Sequence, residues 1–330
     1  MHSLLKKILI VAGAIVVAVV LFFAVLWLPT FNRAQPTEFG ASFSKSYAES
    51  MGLDWQETYL AILDDLEVRR LRLSSEWDEI ETSDGLYDFS ALDWQIAEAE
   101  KRGAKILLAV GERQPRWPEC HAPAWLFLSP RGEVEERLLN FVKTVVERYK
   151  DSPVLEMWQV ENEPFLNVFG ECPRGNVNFL RQEIDLVKSL DDRPILITDS
   201  GELSTWRRTA HLGDYFGTSI YRLVYNPLVG YFHHFFPPAF YRLKAALVGL
   251  SREKVIISEL QVEPWVSEGS IADMPLDQQK NLMGPERIEN HIDFARKTGF
   301  SPAYLWGVEW WYWLKLKGDD SAWQVGRNLW

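Results

Sequence analysis

The sequence predicts an α/β fold: a single (β/α)8 TIM barrel that follows an N-terminal transmembrane helix. From Glu38 onward, eight short apolar segments alternate with longer amphipathic segments. Several of the short segments are nearly continuous hydrophobic runs, as expected for parallel strands that are covered on both faces. Residues 1–33 differ from the rest, because they contain one long apolar run without charge.

The eight apolar segments are the predicted barrel strands. An open doubly wound sheet is the alternative, but it would usually carry a glycine-rich phosphate loop after an early strand. The sequence contains neither G-x-G-x-x-G nor a P-loop signature. The barrel is therefore favoured, with strands that begin near Glu38, Arg69, Lys105, Val154, Pro194, Tyr215, Lys254 and Ser301.

Helical patterns occupy the intervals between these strands. Gly103 and Gly299 stand just before strands three and eight, where helix C-termini favour glycine. The interval between strands five and six leaves room for only a short helix, and little chain follows Trp313 for an eighth helix. Helices are predicted over residues 59–66, 90–102, 134–149, 178–190, 238–250 and 285–298. In 59–66 and 134–149 the apolar residues recur at helical spacing.

Residues 1–33 predict a cytoplasmic stub and a transmembrane anchor or, alternatively, a signal peptide. The run Ile8–Leu28 has no charge and no proline, and about 20 apolar residues suffice to cross a bilayer as a helix. Lys6 and Lys7 precede the run, and such residues tend to stay in the cytoplasm. The run is longer than a signal-peptide core and lacks a small-residue cleavage site, which favours the anchor. Both alternatives place residues 34–330 outside the cytoplasm.

Composition and charge exclude several classes of protein. The chain is 47% hydrophobic and 25% charged, which excludes a disordered chain and a multispanning membrane protein. A net charge of −11 gives no overall attraction to nucleic acid. Two cysteines are too few for a cysteine-based metal cluster, and no H-E-x-x-H motif occurs. We therefore expect no metal, cofactor or nucleic acid, and nothing in the sequence implies an obligate protein partner.

The two cysteines, Cys120 and Cys172, are predicted to lie in loops that leave the same end of neighbouring strands. Outside the cytoplasm, a pair of nearby thiols is readily oxidised. We therefore expect a disulfide between them. Two buried free thiols are the alternative.

Two glutamates stand at strand ends, where the active sites of such barrels lie. Strand four ends in Asn162-Glu163-Pro164, and the apolar run of strand seven ends at Ser258-Glu259. Hydrolysis of a glycosidic bond needs two carboxyl groups, one to protonate the leaving oxygen and one to attack the anomeric carbon. Either glutamate alone would suit an ordinary charged strand end, but both together favour this chemistry. The 15 Trp, 11 Tyr and 18 Phe residues also suit a cleft for sugar rings.

The two strand-end motifs together resemble those of the clan A glycoside hydrolases. This clan includes the family 5 cellulases and mannanases and the family 42 β-galactosidases. The resemblance implies a (β/α)8 fold and retention of configuration. It also implies that Glu163 is the acid/base and that Glu259 is the nucleophile.

The resemblance assigns two polar residues to substrate binding. Arg72, in strand two, matches the arginine that lies beside the nucleophile in family 5. A guanidinium there would keep Glu259 ionised and oriented. Asn162 would form a hydrogen bond with the 2-hydroxyl of the sugar, and this bond strengthens in the transition state.

Aromatic residues at two further strand ends match the same pattern. Tyr221 ends strand six and matches a tyrosine that reaches the nucleophile, with Tyr225 as the alternative. Trp306 matches the strand-eight tryptophan under the cleaved sugar, and core packing is the alternative for it. Strand three departs from family 5, because Val110–Arg113 offers no histidine at its end and His121 comes too late in the chain.

Other acidic residues near the strand ends have weaker assignments. Strand alternation predicts that Glu161 faces the same way as Glu163 and supports it. Glu263 is predicted to lie in the loop beyond strand seven. Asp199 and Glu202 end strand five and could contact substrate hydroxyls.

Taken together, the residues predict a membrane-anchored retaining glycoside hydrolase whose catalytic domain, residues 34–330, acts outside the cytoplasm. Its substrate would be an oligo- or polysaccharide with β-linked sugars, cleaved by double displacement without a cofactor. Two alternatives use the same fold. One is a carbohydrate-binding surface protein without turnover, and the other is a transglycosylase of the cell envelope.

Overall fold

Eight parallel strands close into a barrel in the computed structural model, which describes residues 2–330. Each strand pairs in parallel with its neighbours in sequence, and the first strand also pairs with the last. The predicted (β/α)8 barrel is therefore confirmed. The strands, β1 to β8, span Phe39–Ser42, Arg70–Ser74, Lys105–Val110, Leu155–Val160, Ile195–Asp199, Tyr215–Ile220, Val255–Gln261 and Ala303–Trp306.

Helices surround this barrel. Two short antiparallel hairpins, Glu81–Ser83 with Leu86–Tyr87 and Leu223–Asn226 with Gly230–His233, extend from its loops. Within the described residues, the α-helices α1 to α12 span His2–Leu26, Lys45–Ser50, Trp55–Asp64, Trp77–Ile80, Ser90–Lys101, Arg131–Tyr149, Val177–Leu190, Pro238–Leu247, Leu276–Leu282, Pro285–Thr298, Val308–Leu316 and Ser321–Arg327.

Local sequence signals explain where several of these helices begin and end. The Asp54 carboxylate accepts hydrogen bonds from the first free N–H groups of α3, which begins at the next residue. Proline occupies the first position of α10, and Gly299 ends that helix with a φ of 70°. All eight strands begin within two residues of their predicted starts, because buried apolar runs bounded by such signals are the clearest features of the sequence.

Three connections differ from the prediction. The segment between β5 and β6 contains turns instead of the expected short helix. The ammonium of Lys244 donates there to the carbonyls of Gly201 and Ser204, at 2.6 and 2.7 Å, and so satisfies groups that a helix would pair internally. Helix α8 ends at Leu247 instead of residue 250. After β8, the chain is long enough for two helices, α11 and α12.

The barrel has an apolar layer inside and a larger core outside. Leu107, Met157, Leu196, Ile256 and Tyr304 form a separate buried cluster, and the alternation of strand residues places it in the interior. The main core lies between the strands and the helices. The interior cluster supports the polar groups at the C-terminal ends of the strands.

The N-terminal helix α1 contains a segment, Leu5–Leu26, that is long and apolar enough to cross a membrane. None of that segment is buried against the rest of the chain. Its end contacts the barrel, since Phe23 packs against Phe235 and the Trp27 indole N–H donates to the carbonyl of Phe235 at 3.1 Å. A signal sequence near the N-terminus can also reach this length and hydropathy, so both alternatives stay open.

Cys120 and Cys172 form a disulfide with their Cα atoms 5.2 Å apart, as predicted. The bond joins two segments at the C-terminal end of the barrel. These are the β3 loop (residues 111–130) and the β4 loop (residues 161–176). It therefore fixes the two loops to each other beside the ends of β3 and β4.

Removing this disulfide should destabilise the protein. The bond closes a loop of 52 residues, and the loss of a native disulfide typically costs about 2–5 kcal/mol. We expect the double variant Cys120→Ser/Cys172→Ser to lose free energy of unfolding in this range, measured by urea denaturation. Dithiothreitol should produce the same loss in the wild type and no further loss in the variant. Two alkylatable thiols in the native wild type would contradict the assignment.

Candidate active site

The chain turns sharply where β4 ends. Glu161 and Glu163 both have positive φ angles, 60° and 43°, which residues other than glycine seldom adopt. Strand alternation therefore stops at Val160, and the two glutamates point to different places. The Glu161 carboxylate accepts hydrogen bonds from the backbone N–H groups of Glu112 and Arg113, both at 2.7 Å. The expectation that Glu161 supports Glu163 is wrong, because Glu161 holds the β3 loop instead.

Gly111 makes this contact possible. Its φ is 122°, and a Cβ atom at this position would lie 2.3 Å from the Oε1 atom of Glu161. Only glycine fits both the backbone conformation and the approach of the carboxylate. The ends of β3 and β4 are thereby held together directly below the site.

Arg72 connects the ends of β4 and β7. Its guanidinium donates from Nη1 to Glu259 at 2.9 Å, from Nη2 to the Asn162 amide oxygen at 2.8 Å, and from Nε to the Gln159 amide oxygen at 2.8 Å. Arg72 is only 1% exposed and Glu259 only 4%. A buried charge requires a partner. The Arg72 guanidinium and the Glu259 carboxylate are such partners.

Tyr221 completes the surroundings of Glu259. Its hydroxyl donates to the second carboxylate oxygen at 2.8 Å. Tyr225, the alternative from the sequence, lies instead in the hairpin after β6, where its ring packs 5.1 Å from that of Tyr231. Tyr221 is therefore the tyrosine that contacts the predicted nucleophile.

Glu163 has different surroundings. It is 6% exposed, and its carboxyl oxygen Oε1 accepts a hydrogen bond from the Ser219 hydroxyl at 2.7 Å. Burial raises its pKa well above the usual range for glutamate. The negative charges of Glu259 and Glu119 raise it further, and the bond from Ser219 opposes them. The group therefore keeps its proton at a pH where an exposed glutamate has lost it.

The structure places a further buried carboxylate, that of Glu119, close enough to Glu163 and Glu259 to act on them electrostatically. No sequence pattern indicated this residue. The Arg113 guanidinium forms an ion pair with it at 2.6 Å. Burial raises the pKa of Glu119 to about 7, with Arg113 lowering it and Glu259 raising it. Glu119 reaches the site because the β3 loop folds back on itself, through the bridge between Arg113 and Cys120.

Trp306 lies at the end of β8 beside a compact cluster of charged residues. The Arg116 guanidinium lies 4.0 Å from the centre of the Trp306 ring system and 3.6 Å from the centre of the Tyr47 ring. Arg116 also pairs with Glu263 and, at 3.4 Å, with Glu309. Glu263 follows β7, as predicted, and accepts a hydrogen bond from the Tyr47 hydroxyl at 2.7 Å. Tyr47, Arg116 and Glu309 were not indicated by the sequence.

Asp199 and Glu202 are engaged by the protein itself. The Thr209 hydroxyl donates to Asp199 at 2.7 Å, and the other Asp199 oxygen accepts the next backbone N–H group. Glu202 accepts hydrogen bonds from the Tyr241 hydroxyl and from the backbone N–H of Tyr221. These contacts favour a structural role over contact with substrate hydroxyls. Among residues 2–330, no group of three or more His, Cys, Asp or Glu side chains is arranged to hold a metal ion.

Similar proteins include two groups of curated relatives. Mannan endo-1,4-β-mannosidase A of Podospora anserina is 28% identical over 141 residues, which are 39% of this chain and 36% of that protein. A β-galactosidase of Geobacillus sp. is 28% identical over 138 residues, 36% of this chain and 20% of that protein. The chain thus spans well under half the length of these relatives. No protein-family model matches it.

Solved structures resemble the fold over most of the chain. The β-galactosidase from Halorubrum lacusprofundi has a TM-score of 0.54 at 15% identity, covering 82% of this chain and 52% of that one. Xylanase 10B from Thermotoga petrophila has a TM-score of 0.52 at 17% identity, covering 84% and 83%. The solved structures confirm the barrel fold, and the mannanase and β-galactosidase relatives confirm the resemblance to clan A glycoside hydrolases that the strand-end motifs indicate.

The Arg72 contacts predict a large effect on stability. Replacing Arg72 with methionine leaves the Glu259 carboxylate buried without its partner, and breaking a buried pair from one side costs about 3–5 kcal/mol. We expect a loss of this size in the free energy of unfolding of Arg72→Met, measured by urea denaturation. Adding Glu259→Gln should recover part of the loss, since no unpaired charge then remains.

Arg70 offers a matched control in the same strand. It forms ion pairs with Glu38 and Glu156, but all three side chains are partly exposed. Exposed pairs contribute about 0–1 kcal/mol, so Arg70→Met should change stability by no more than that. Equal losses for Arg70→Met and Arg72→Met would contradict this account of the buried ion pair.

Proposed function

We propose that this protein is a retaining glycoside hydrolase, with Glu163 as acid/base and Glu259 as nucleophile. One observation carries the proposal. Two buried glutamates stand at the ends of β4 and β7 in different surroundings, one with a raised pKa and the other in an ion pair with Arg72. Pairs of titratable groups whose environments differ in this way separate acid from base or nucleophile. The similarity to mannanases and β-galactosidases supports the glycosidase activity.

In the first step, Glu259 attacks the anomeric carbon of the bound sugar while Glu163 gives its proton to the departing oxygen. A covalent glycosyl-enzyme forms, and the leaving sugar departs with that proton. The proposed acid starts protonated because its pKa is raised. Arg72 and Tyr221 each bind one oxygen of Glu259 and would orient it for attack.

In the second step, the ionised Glu163 takes a proton from water, which attacks the same carbon and releases the sugar with its original configuration. The pKa of Glu163 falls once Glu259 is esterified, because the ester no longer carries the negative charge that raises it. The same residue can then act as a base. No step needs a cofactor.

Asn162 is the proposed contact for the 2-hydroxyl of the sugar. Its amide oxygen already accepts hydrogen bonds from Arg72, Gln159 and Thr198. The amide nitrogen therefore remains to donate to the substrate. Trp306, at the end of β8, is the proposed surface beneath the cleaved sugar ring, since flat aromatic faces suit sugar rings.

The proposed substrate is a β-linked oligo- or polysaccharide outside the cytoplasm. The curated relatives are named as mannan endo-1,4-β-mannosidases and β-galactosidases, which supports β-linked sugars. We propose residues 1–33 as a membrane anchor and residues 34–330 as the catalytic domain. The long apolar segment of α1 and the two lysines before it support the anchor over a cleaved signal.

Replacing each glutamate tests the two roles separately. Glu259→Ala removes the attacking group, so turnover of every aryl glycoside should fall by at least about 10³-fold. Added azide should restore part of the rate and give a product of inverted configuration. Glu163→Ala should still cleave glycosides with a dinitrophenolate leaving group, which needs no proton. Azide should then give a product of retained configuration, identified by NMR.

Two results would contradict these assignments. Reversal of the two azide patterns would exchange the roles of Glu163 and Glu259. Near-normal turnover by Glu259→Ala would contradict the double displacement itself. Comparing hydrolysis with sugar transfer on one substrate distinguishes a hydrolase from a transglycosylase, and binding without turnover would favour a carbohydrate-binding protein.

The charge of Glu119 should shape the pH dependence. As the pH rises through about 7, Glu119 loses its proton, and its negative charge raises the pKa of Glu163. Glu119→Gln removes this charge and lowers the pKa of Glu163. The acid then loses its proton earlier, so the alkaline limb of kcat/KM should move to lower pH. Glu119→Asp keeps the charge and should leave the limb near its wild-type position. An unchanged limb in Glu119→Gln would contradict the coupling.

A further inference from the structure

The proposed roles set the direction in which a bound substrate lies. The acid Glu163, on β4, protonates the oxygen that leads to the leaving group, so the leaving group lies on the β4 side. The cleaved sugar lies over Trp306, on β8. Strands β4 and β8 are four apart in a barrel of eight and therefore face each other. Any sugars beyond the non-reducing end of the cleaved one would extend past Trp306, toward the loops after β8 and β1.

That end of the site is filled by the charged cluster around Arg116. Its members come from four segments that follow strands: Tyr47 in helix α2 after β1, Arg116 in the loop after β3, Glu263 in the loop after β7 and Glu309 in helix α11 after β8. Arg116 covers one face of the Trp306 ring system and pairs with both glutamates. The three charged residues are each at most 8% exposed. A second sugar would have to displace Arg116 and leave two buried carboxylates without their cation, which is strongly unfavourable.

The loop that carries Arg116 is held at several points. The Cys120–Cys172 disulfide joins it to the β4 loop. Arg113 donates to the backbone carbonyls of Leu166 and Phe169, at 2.7 and 2.9 Å, and also pairs with Glu119. The cluster is therefore a fixed boundary of the site.

Aromatic residues also bridge the mouth of the barrel. Phe169, in the β4 loop, packs with ring centres 5.5 Å from Trp265, which follows β7. Trp265 in turn lies 5.6 Å from Tyr221, whose hydroxyl contacts Glu259. On the other side, Trp117 of the β3 loop packs against Phe169 at 5.7 Å. Aromatic contacts thus join the loops after β3, β4 and β7 beside Tyr221, whose hydroxyl contacts Glu259.

From the charged cluster we infer that the site holds a single sugar before the cleaved bond. The enzyme would then remove sugars one at a time from the non-reducing ends of its substrates. This inference rests on the proposed glycosidase function, and it assigns to Tyr47, Arg116 and Glu263 the role of determining specificity by excluding a second sugar. The leaving group stays unrestricted by the cluster, because it lies on the β4 side.

Covalent trapping tests this inference on the full chain in detergent. The probes are 2,4-dinitrophenyl 2-deoxy-2-fluoro-β-glycosides of glucose, mannose, galactose and xylose. Each is paired with a counterpart that carries a second β-linked sugar at its 4-position. Such probes form the glycosyl-enzyme and hydrolyse it slowly, so the mass of the intact protein reports how many sugars are attached. At least one single-sugar probe should label Glu259, and its two-sugar counterpart should label at least 100-fold more slowly.

Variants of the cluster test which residues exclude the second sugar. Arg116→Ala/Glu263→Ala removes one positive and one negative charge, and it should label with the two-sugar probe at least 10-fold faster than the wild type. Trp265→Ala removes the aromatic contacts with Phe169 and Tyr221 and leaves the ion pairs of the cluster intact, so it serves as a comparison. It should not increase labelling by the two-sugar probe, because the excluded sugar would lie beyond Trp306. If the double variant does not fold, the comparison of probes on the wild type still decides the inference.

The outcomes separate this inference from the proposed function. Equal or faster labelling by a two-sugar probe overturns the inference and leaves the glycosidase function standing. Release of sugars longer than one unit from the non-reducing end of a reduced tetrasaccharide would do the same. If no probe labels Glu259 and no aryl glycoside is cleaved, both the inference and the proposed function are overturned.

Discussion

The site depends on one buried guanidinium, that of Arg72. A full positive charge inside a barrel is unfavourable unless charged and polar groups surround it. Arg72 meets this requirement with the Glu259 carboxylate and two amide oxygens, those of Gln159 and Asn162. Because these partners come from β4 and β7, the same interaction sets the position of the proposed nucleophile and of the residue beside the proposed acid. The apolar interior layer below, which includes Leu107 and Tyr304, keeps water from replacing these contacts.

The distribution of charge around this pair separates the two glutamates. Glu259 is held by a cation and a phenol hydroxyl, whereas Glu163 has a serine hydroxyl and faces other carboxylates. Two identical side chains at similar depth thus have different electrostatic surroundings, and those of Glu163, with other carboxylates beside it, raise its pKa. Glu119 contributes to this difference from a loop, and Arg113 offsets part of its charge. The barrel strands thus set the positions of Glu163 and Glu259, and charged residues of the β3 loop adjust the pKa of Glu163.

The loops after β3 and β4 act as one unit. A disulfide, the hydrogen bonds from Arg113 to the carbonyls of Leu166 and Phe169, and the contact of Glu161 with the start of the β3 loop all join them. Arg116 is carried by the same unit, so the proposed exclusion of a second sugar depends on the contacts that hold these two loops.

The sequence by itself determined the barrel, the two strand-end glutamates and the cysteine pair. Each of these depends on local signals: apolar runs, glycine after a helix, or a polar residue at the end of a strand. It did not reveal Arg116 and Glu119, whose backbones have positive φ angles of 88° and 69°. Such conformations follow no periodic pattern. Arg116 pairs with Glu263 and Glu309, which are distant in sequence, and Glu119 reaches Arg113 because the β3 loop folds back on itself. Only the tertiary structure could decide these contacts, because they depend on how this loop folds and on which segments it meets.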